Sequence, residues 1–210
     1  MAQISKGTRV GYMVQGTSPK SYTFVPELTG IPALGATPST HQVTTLSDSM
    51  HKYIKGLIDV GGSLEFPCIF TDDIISAIET AISSQESDVL EWCVEFPSPL
   101  GRRAYFTGEA STVYNESVDV DAPVTGNLSL VPTSPILWES ASYTVTYDSN
   151  GGSVVASATP LYGALVPEPA EPTFAGNTFV GWFYDALMSE PVDFTSDRVV
   201  GDITLYADWS

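Results

Sequence analysis

Apolar and polar residues alternate with a period of two along several short segments of the chain. The alternation is clearest in "GSLEFPCIF" (62–70), "DVLEWCVEF" (88–96) and "TGNLSLVP" (125–132), with Gly and Pro residues between them. Successive side chains of a strand point to opposite faces of a sheet, so this pattern predicts half-buried β-strands. The run 101–121 is long for a single strand and predicts a bend at Gly108.

Helical spacing of apolar residues appears in "TDDIISAIETAISS" (71–84), where the Ile and Ala residues form one stripe. Thr71 is suited to cap the first turn, and Asp72 and Asp73 place negative charge there, which the helix dipole favours. We predict that this helix covers one face of a sheet. The first part of the chain is then a mainly-β sandwich or barrel with one flanking α-helix.

The composition changes near residue 140, and we predict two domains, 1–140 and 141–210. Residues 1–140 carry 16 acidic and 7 basic side chains, whereas residues 141–210 carry 9 acidic and 1 basic. The second part contains the strand-like runs "SYTVTYDSNGGS", "TFVGWFYD" and "DITLYADW". The Gly-Gly pair after Ser149 and Asn150 predicts a tight turn, because such residues tolerate positive φ.

The charge balance limits the classes of partner. With 25 acidic against 8 basic residues the net charge is −17, so the basic surface that grips nucleic acid is absent. A hydrophobic fraction of 43% favours a folded core over an acidic disordered tail. No run approaches the roughly 20 apolar residues that span a bilayer, and no secretory signal is visible, so we expect no membrane insertion.

Catalytic motifs are missing from the sequence: it has no nucleotide-binding glycine loop, no C-x-x-C and no H-E-x-x-H. Cys68 and Cys93 lie in strand-like runs and are interpreted as buried free thiols, although spacing alone leaves a dyad of Cys93 with His41 or His51 open.

Paired carboxylates give no stronger indication of chemistry. Glu91 and Glu95 would lie about 13 Å apart on one strand, beyond the range of glycosidase pairs, which favours a solvated face. Asp119 and Asp121 alone are too few oxygen ligands for Ca²⁺. We therefore expect no enzyme activity, no cofactor and no metal site.

The stretch "MHKYIKGLIDVGG" (50–62) mixes charged, apolar and glycine residues. With its neighbours it resembles the core of siphophage-type major tail tube proteins, and "TGNLSLVP" is similar to their last strand. The resemblance covers residues 1 to about 138. The matching residues of the core are Thr44, Thr45, Leu46, Asp48, Tyr53, Ile54, Gly56, Leu57, Asp59, Gly61 and Gly62.

This resemblance implies a tail tube fold and a structural role in the virion of a bacteriophage with a long non-contractile tail. Homohexameric rings, assembled in the host cytoplasm, would stack into a tube through which DNA passes during ejection. Tape measure and tail terminator proteins would be further partners. Stretch 50–62, expected as a loop, would make contacts between rings and subunits. The residues assigned to that interface are Asp48, Met50, Tyr53, Ile54, Gly56, Leu57, Ile58, Gly61 and Gly62.

An apolar loop would be an expensive exposed patch on a free monomer, and burial against the next ring removes that cost. The alternative, in which the loop folds back on its own domain, stays open. Ring closure would also cover exposed sheet edges.

An acidic or neutral polar bore would let DNA slide, since basic side chains would grip its phosphates. Alternation alone does not distinguish a face that lines the bore from an outward solvated face. The candidate lumen residues are Glu91, Glu95, Thr125, Asn127 and Ser129.

Residues 143–209 resemble the Listeria–Bacteroides (internalin B-repeat-like) module through "YDSNGG", "FVGWF" and "ITLYADW". That family is similar to a small β-grasp-like fold and usually has Lys or Glu where Asp208 stands. The module implies an outward-projecting surface decoration that contacts a host surface. An alternative function is a secreted or surface-displayed bacterial adhesin of two β modules. The residues assigned to its core and turns are Gly151, Gly152, Gly181, Trp182, Tyr206 and Trp209.

Overall fold

The structure is a computed structural model that describes residues 6–35, 37–45, 49–59, 62–114 and 123–210. It divides into two compact units. The sheet unit comprises Arg9–Val94 and Ala104–Trp138, and the C-terminal unit comprises Met1–Thr8, Glu95–Arg103 and Glu139–Ser210. The second unit therefore includes more of the chain than the segment 141–210, and the predicted boundary at residue 140 stays a prediction.

The sheet unit is built around antiparallel strands. The elements up to residue 140 are β1 (Arg9–Val14), β2 (Thr23–Val25), β3 (Thr37–Gln42), β4 (Tyr53–Asp59), β5 (Leu64–Ile69), α1 (Asp72–Gln85), β6 (Leu90–Phe96), β7 (Arg102–Tyr114), β8 (Thr125–Pro132) and β9 (Leu137–Ser140). A seven-stranded sheet has the order β2-β1-β6-β7-β8-β5, and β9 also pairs with β7. The predicted mainly-β class is confirmed.

The two ends of this sheet are joined by the residues that follow β2. Leu28 forms a bridge with Cys68 of β5. The Ile69 amide donates to the Glu27 carbonyl at 3.4 Å, and the Thr29 amide donates to the Pro67 carbonyl at 2.8 Å. The open edge of β5 is thus satisfied within the chain here. Since this sheet edge is already paired, the need to cover exposed edges is a weaker argument for ring formation than the sequence indicated.

One face of the sheet forms the core of the unit. Its largest fully buried side chains belong to the strands that the alternation predicted: Phe66, Trp92, Phe106, Leu128 and Leu130. On β6 the other face is covered as well, because Cys93 and Glu95 are also buried. Cys68 and Cys93 are free and buried, as predicted.

Helix α1 begins where the sequence predicted. Thr71 adopts an extended conformation and its hydroxyl accepts from the Ile74 amide at 3.4 Å, which caps the first turn. Ile74, Ile78 and Ala81 are buried. At the helix end the Gln85 amide side chain donates to the Ala110 carbonyl and accepts from the Ala110 amide, at 2.8 and 2.7 Å. Gln85 thereby pairs with the backbone of β7 as a neighbouring strand would.

Strand β7 continues through Gly108 as one element, where the sequence predicted a bend. A Cβ at this position would lie 2.9 Å from the Val131 carbonyl oxygen and 3.3 Å from the Phe106 ring. The indole of Trp92 donates to the Gly108 carbonyl at 3.1 Å. The glycine is required by this close approach.

The C-terminal unit contains a small mixed sheet formed by β10 (Val145–Asp148), β11 (Phe179–Phe183) and β12 (Ile203–Trp209). In the order β10-β12-β11, β10 is parallel and β11 antiparallel to β12. Val145, Trp182 and Leu205 lie in its buried core. Residues 139–210, all described, contain no α-helix. Across the described part of the chain, no helix is long and apolar enough to cross a lipid bilayer.

Candidate functional site

Within the stretch 50–62, Tyr53–Asp59 form strand β4 of a β-hairpin, which corrects the expectation of a loop there. Strand β4 pairs antiparallel with β3, placing His41 opposite Ile54 and Gln42 opposite Tyr53. These two strands form a sheet of their own. Alternation was difficult to detect here because Lys55 and Gly56 interrupt the apolar positions of β4.

Apolar side chains at the start of β4 and just before it are exposed to solvent. The exposed fractions are 70% for Met50, 59% for Tyr53 and 53% for Ile54. Polar groups hold the adjoining chain: the Lys52 amide donates to the Thr44 hydroxyl at 3.1 Å, and His51 Nδ1 lies 2.8 Å from the Gln42 side-chain nitrogen. Met50, Tyr53 and Ile54 are therefore not hidden by local folding of the hairpin.

The other residues assigned to the interface are only partly described. Gly56, Leu57 and Ile58 lie within β4. Gly62 has φ of +79°, which favours glycine. Asp48 and Gly61 lie outside the described residues, as do the proposed tube-motif residue Leu46 and the Asp119–Asp121 pair. The role of this set in ring contacts stays a prediction.

The five candidate lumen residues lie on the sheet face opposite the core, although Glu95 on this face is fully buried. Ser129 pairs across the sheet with Ser111 and with Glu65. Glu91 belongs to the same face because Lys20 contacts both its carboxylate, at 3.0 Å, and the ring of Tyr105, which lies on the Ser111 side of β7. Pro67, Ile69 and Val131 also lie on this face, opposite Asn127, Thr125 and Glu109. We call this the polar face after its polar residues, which are Glu65, Glu91, Tyr105, Thr107, Glu109, Ser111, Thr125, Asn127 and Ser129.

Exposure varies strongly across the polar face. Glu109 and Ser111 are exposed, and Thr125 and Asn127 are half-buried. Ser129 is buried and donates to Glu65 at 2.6 Å. Glu91 is ion-paired with Lys20 and accepts from the Tyr22 hydroxyl. Sequence reasoning missed Glu109 and Ser111, although a period of two along the run 101–121 marks both.

The sequence predicted that Glu95 would lie on a solvated face, but its side chain is completely buried. Its carboxylate accepts from Arg103 Nε at 2.6 Å and from the Tyr143 hydroxyl at 2.8 Å. Arg103 also donates to Glu139 at 2.8 Å. Burial alone would lower the pKa of the Arg103 guanidinium, but the charge of Glu95 and the bonds to Glu139 and Glu95 hold it above its ordinary value. This ion pair neutralises a charge that would otherwise be buried alone.

The assigned glycines and tryptophans of the C-terminal unit lie at its turn and core. Gly151 has φ of +92°, and a Cβ on Gly152 would lie 2.5 Å from the ring of Trp209. The Trp209 indole donates to the Ser149 carbonyl at 2.9 Å. Trp182 is 4% exposed. Gly181 and Tyr206 lie on adjacent strands, β11 and β12, and are half-buried.

The described residues contain no group of three His, Cys, Asp or Glu side chains placed to hold a metal ion. Burial raises the pKa of the Cys68 thiol, which makes it less reactive. Cys93 is fully buried, the opposite of the accessible setting that a nucleophilic thiol requires.

Comparison with known sequences identifies one domain. Residues 143–208 match the Listeria-Bacteroides repeat domain. A protein described as a Gly-rich membrane protein of Evansella cellulosilytica is 46% identical over 72 residues, which cover 34% of this chain and 8% of that protein. Internalin H of Listeria monocytogenes is 31% identical over 109 residues, 50% of this chain and 18% of internalin H. The chain thus spans less than a fifth of the length of these relatives.

Comparison with known structures adds a fold likeness. A chain in the cryo-EM structure of the anti-feeding prophage baseplate, symmetrised six-fold, aligns with a TM-score of 0.51 and 9% identity. The alignment covers 67% of this chain and 97% of that chain. At this identity the likeness is one of fold.

Proposed function

We propose that this chain is a structural subunit of a phage-type tail, in which six copies form a ring and rings stack into a tube for DNA passage. The observation that carries the proposal is the apolar surface of the hairpin around Met50, Tyr53 and Ile54. The fold likeness to a chain of a six-fold baseplate supports the same reading.

The hairpin has the properties of an assembly element. A two-stranded hairpin is marginally stable alone, and β3 and β4 form no sheet with the other described strands. Full burial of each large apolar side chain contributes about 1.5–3 kcal/mol. Tyr53 and Ile54 are consecutive in β4 and point to opposite faces of the hairpin. Docking these two faces against neighbouring copies would stabilise both the hairpin and the ring stack.

The polar face suits the wall of a bore. Its exposed members include the Glu109 carboxylate and the Ser111 hydroxyl, and the adjacent Lys20 ammonium is paired with Glu91 of this face. DNA passing such a wall meets repulsion or neutral hydroxyls, so it would not be held by counterion-releasing contacts. The repeat domain would then lie on the outside of the tube and contact a host surface, with tape measure and tail terminator proteins as partners inside and at the tube end.

Charge substitutions on the hairpin test this assignment. Tyr53→Asp combined with Ile54→Asp should abolish sedimentation of rings and tubes, because two carboxylates would have to be buried at the interface. Val154→Asp is the matched control, since Val154 is 97% exposed and lies in the repeat domain. Unchanged polymers in the hairpin variant would contradict the proposal.

A surface adhesin is the second candidate, because the repeat domain also occurs in internalin H and in proteins described as membrane proteins. It predicts a chain that stays monomeric at all concentrations and binds cells through residues 143–208. Ring formation that depends on Tyr53 and Ile54 would exclude it.

A further inference from the structure

The C-terminal unit has a groove that the proposed tube assembly does not use. It has a volume of about 360 Å³ and runs along β11, the outer strand of the mixed sheet. This volume falls in the range of about 300–1,000 Å³ typical of ligand sites. All of its lining residues lie between Glu168 and Phe194, within the repeat domain.

The floor of the groove is aromatic, and one of its rings is held by neighbouring aromatic side chains. Phe179, Phe183 and Phe194 line it and are half-buried, so part of each ring is accessible. Phe179 is fixed by edge contacts with Trp182 at 5.7 Å and with Trp209 at 5.5 Å between ring centroids. Trp182 itself is only 4% exposed, so its face is not available for stacking a sugar ring.

The rim of the groove is negatively charged. Glu168 and Glu171 line it and are both exposed. Arg198 is the one basic residue between positions 141 and 210, and its guanidinium donates to the Gly163 carbonyl at 2.8 Å, away from the groove lining. Aromatic faces beside carboxylates match a cation carried on an apolar stem, since the rings attract the cation and the carboxylates pair with it.

We propose that this groove binds a basic segment of another protein, with an Arg or Lys side chain lying over the phenylalanine rings between Glu168 and Glu171. The proposal does not depend on ring formation. The outer edge of β11 is already bonded within the chain, because the Val192 amide donates to the Trp182 carbonyl at 2.9 Å. Contacts of the basic side chain, and not backbone pairing with β11, therefore determine the specificity.

Fluorescence anisotropy with the full chain tests the proposal. The probe is a short labelled peptide with Arg at alternate positions, and its partner peptide carries citrulline, which keeps the shape and removes the charge. We expect the citrulline peptide to bind at least about fivefold more weakly, from loss of the cation–π and ion-pair contacts. Glu168→Gln combined with Glu171→Gln should weaken the Arg peptide similarly, whereas Glu79→Gln combined with Glu86→Gln, which removes equal charge from exposed positions of the sheet unit, should not.

The substitution Val180→Arg is an independent test of peptide binding in the groove. Val180 lines the groove and is 54% exposed, so this change places a competing cation there without disturbing the core. Val154→Arg is its control at an exposed position outside the groove lining. The proposal is overturned if the Arg and citrulline peptides bind equally, or if both charge-removing pairs of substitutions weaken binding equally. It is also overturned if Val180→Arg binds the Arg peptide as the wild type does. Binding of a neutral oligosaccharide but not of the Arg peptide would overturn it as well.

Discussion

Arg103 donates from Nε to Glu95 Oε1 at 2.6 Å, and both side chains are buried within the C-terminal unit. Tyr143 supplies a further donor to the same carboxylate at 2.8 Å. The sequence placed Glu95 on a solvated surface, whereas the structure makes it the centre of a closed polar cluster. The cluster is fully satisfied only while all of its members are present.

Loss of the Arg103 charge should therefore be costly. Arg103→Met leaves the Glu95 carboxylate buried without its cation, and we expect the free energy of unfolding to fall by about 3–5 kcal/mol in urea denaturation. Arg102→Met, at the exposed neighbouring position, should change it by less than about 0.5 kcal/mol. The double variant Glu95→Met with Arg103→Met should recover much of the loss. A loss below about 1 kcal/mol for the single variant would show that the pair is not needed.

Gly152 should not tolerate a side chain. A Cβ there would lie 2.5 Å from the Trp209 ring, whose indole is bonded to Ser149. Gly152→Ala should lower the free energy of unfolding by about 1–3 kcal/mol, as overpacking does. Gly201→Ala is the control, because a Cβ at Gly201 meets no atom within 4 Å. Equal stability of the two variants in thermal denaturation would contradict the described turn.

The hydrogen bonds between the Gln85 side chain and the Ala110 backbone are expected to anchor α1 to β7. Gln85→Ala removes two hydrogen bonds to Ala110 and should cost about 1–3 kcal/mol, as each bond contributes roughly 0.5–1.5 kcal/mol. Ser83→Ala, at an exposed position on the same helix, should be neutral within about 0.5 kcal/mol. Hydrogen exchange at the Ala110 amide reports directly on this contact, and unchanged protection in Gln85→Ala would argue against it.

Asp185 should titrate abnormally. Hydrogen bonds, first from the Ser189 hydroxyl and then from backbone amides including that of Glu190, hold the pKa of this carboxyl below its ordinary value of 3.8. The charged form is favoured in the folded state, so its contribution to stability is present above that ordinary value and is lost as the pH falls through the lowered one. Carboxyl-carbon NMR should show the pKa of Asp185 rising toward the ordinary value in Ser189→Ala. A pKa of Asp185 that is the same in both proteins would contradict these contacts.

Local signals predicted much of the fold. The Thr71 cap and the apolar stripe of α1 depend on neighbours within a few residues, and the strands around Phe66, Trp92 and Leu128 follow a strict alternation. These features are determined by short-range spacing, so the sequence shows them directly.

The features that sequence reasoning missed depend on distant partners. Glu95 is buried because Arg103 and Tyr143 meet it, and alternation alone gives no sign of that pairing. The hairpin depends on the pairing of β4 with β3, which an intervening segment separates in the chain. Lys55 and Gly56 also interrupt the alternation of apolar residues by which β4 could be recognised in the sequence. The interface role of Tyr53 and Ile54 involves other copies of the chain, so it stays a prediction.

Cryo-electron microscopy of the purified chain tests the central claim most directly. The account predicts six-fold rings, stacked so that Met50, Tyr53 and Ile54 are buried between copies, with Glu109 and Ser111 facing the bore. Dispersed monomers, or rings in which the hairpin stays in solvent and the polar face lies on the outside, would contradict it.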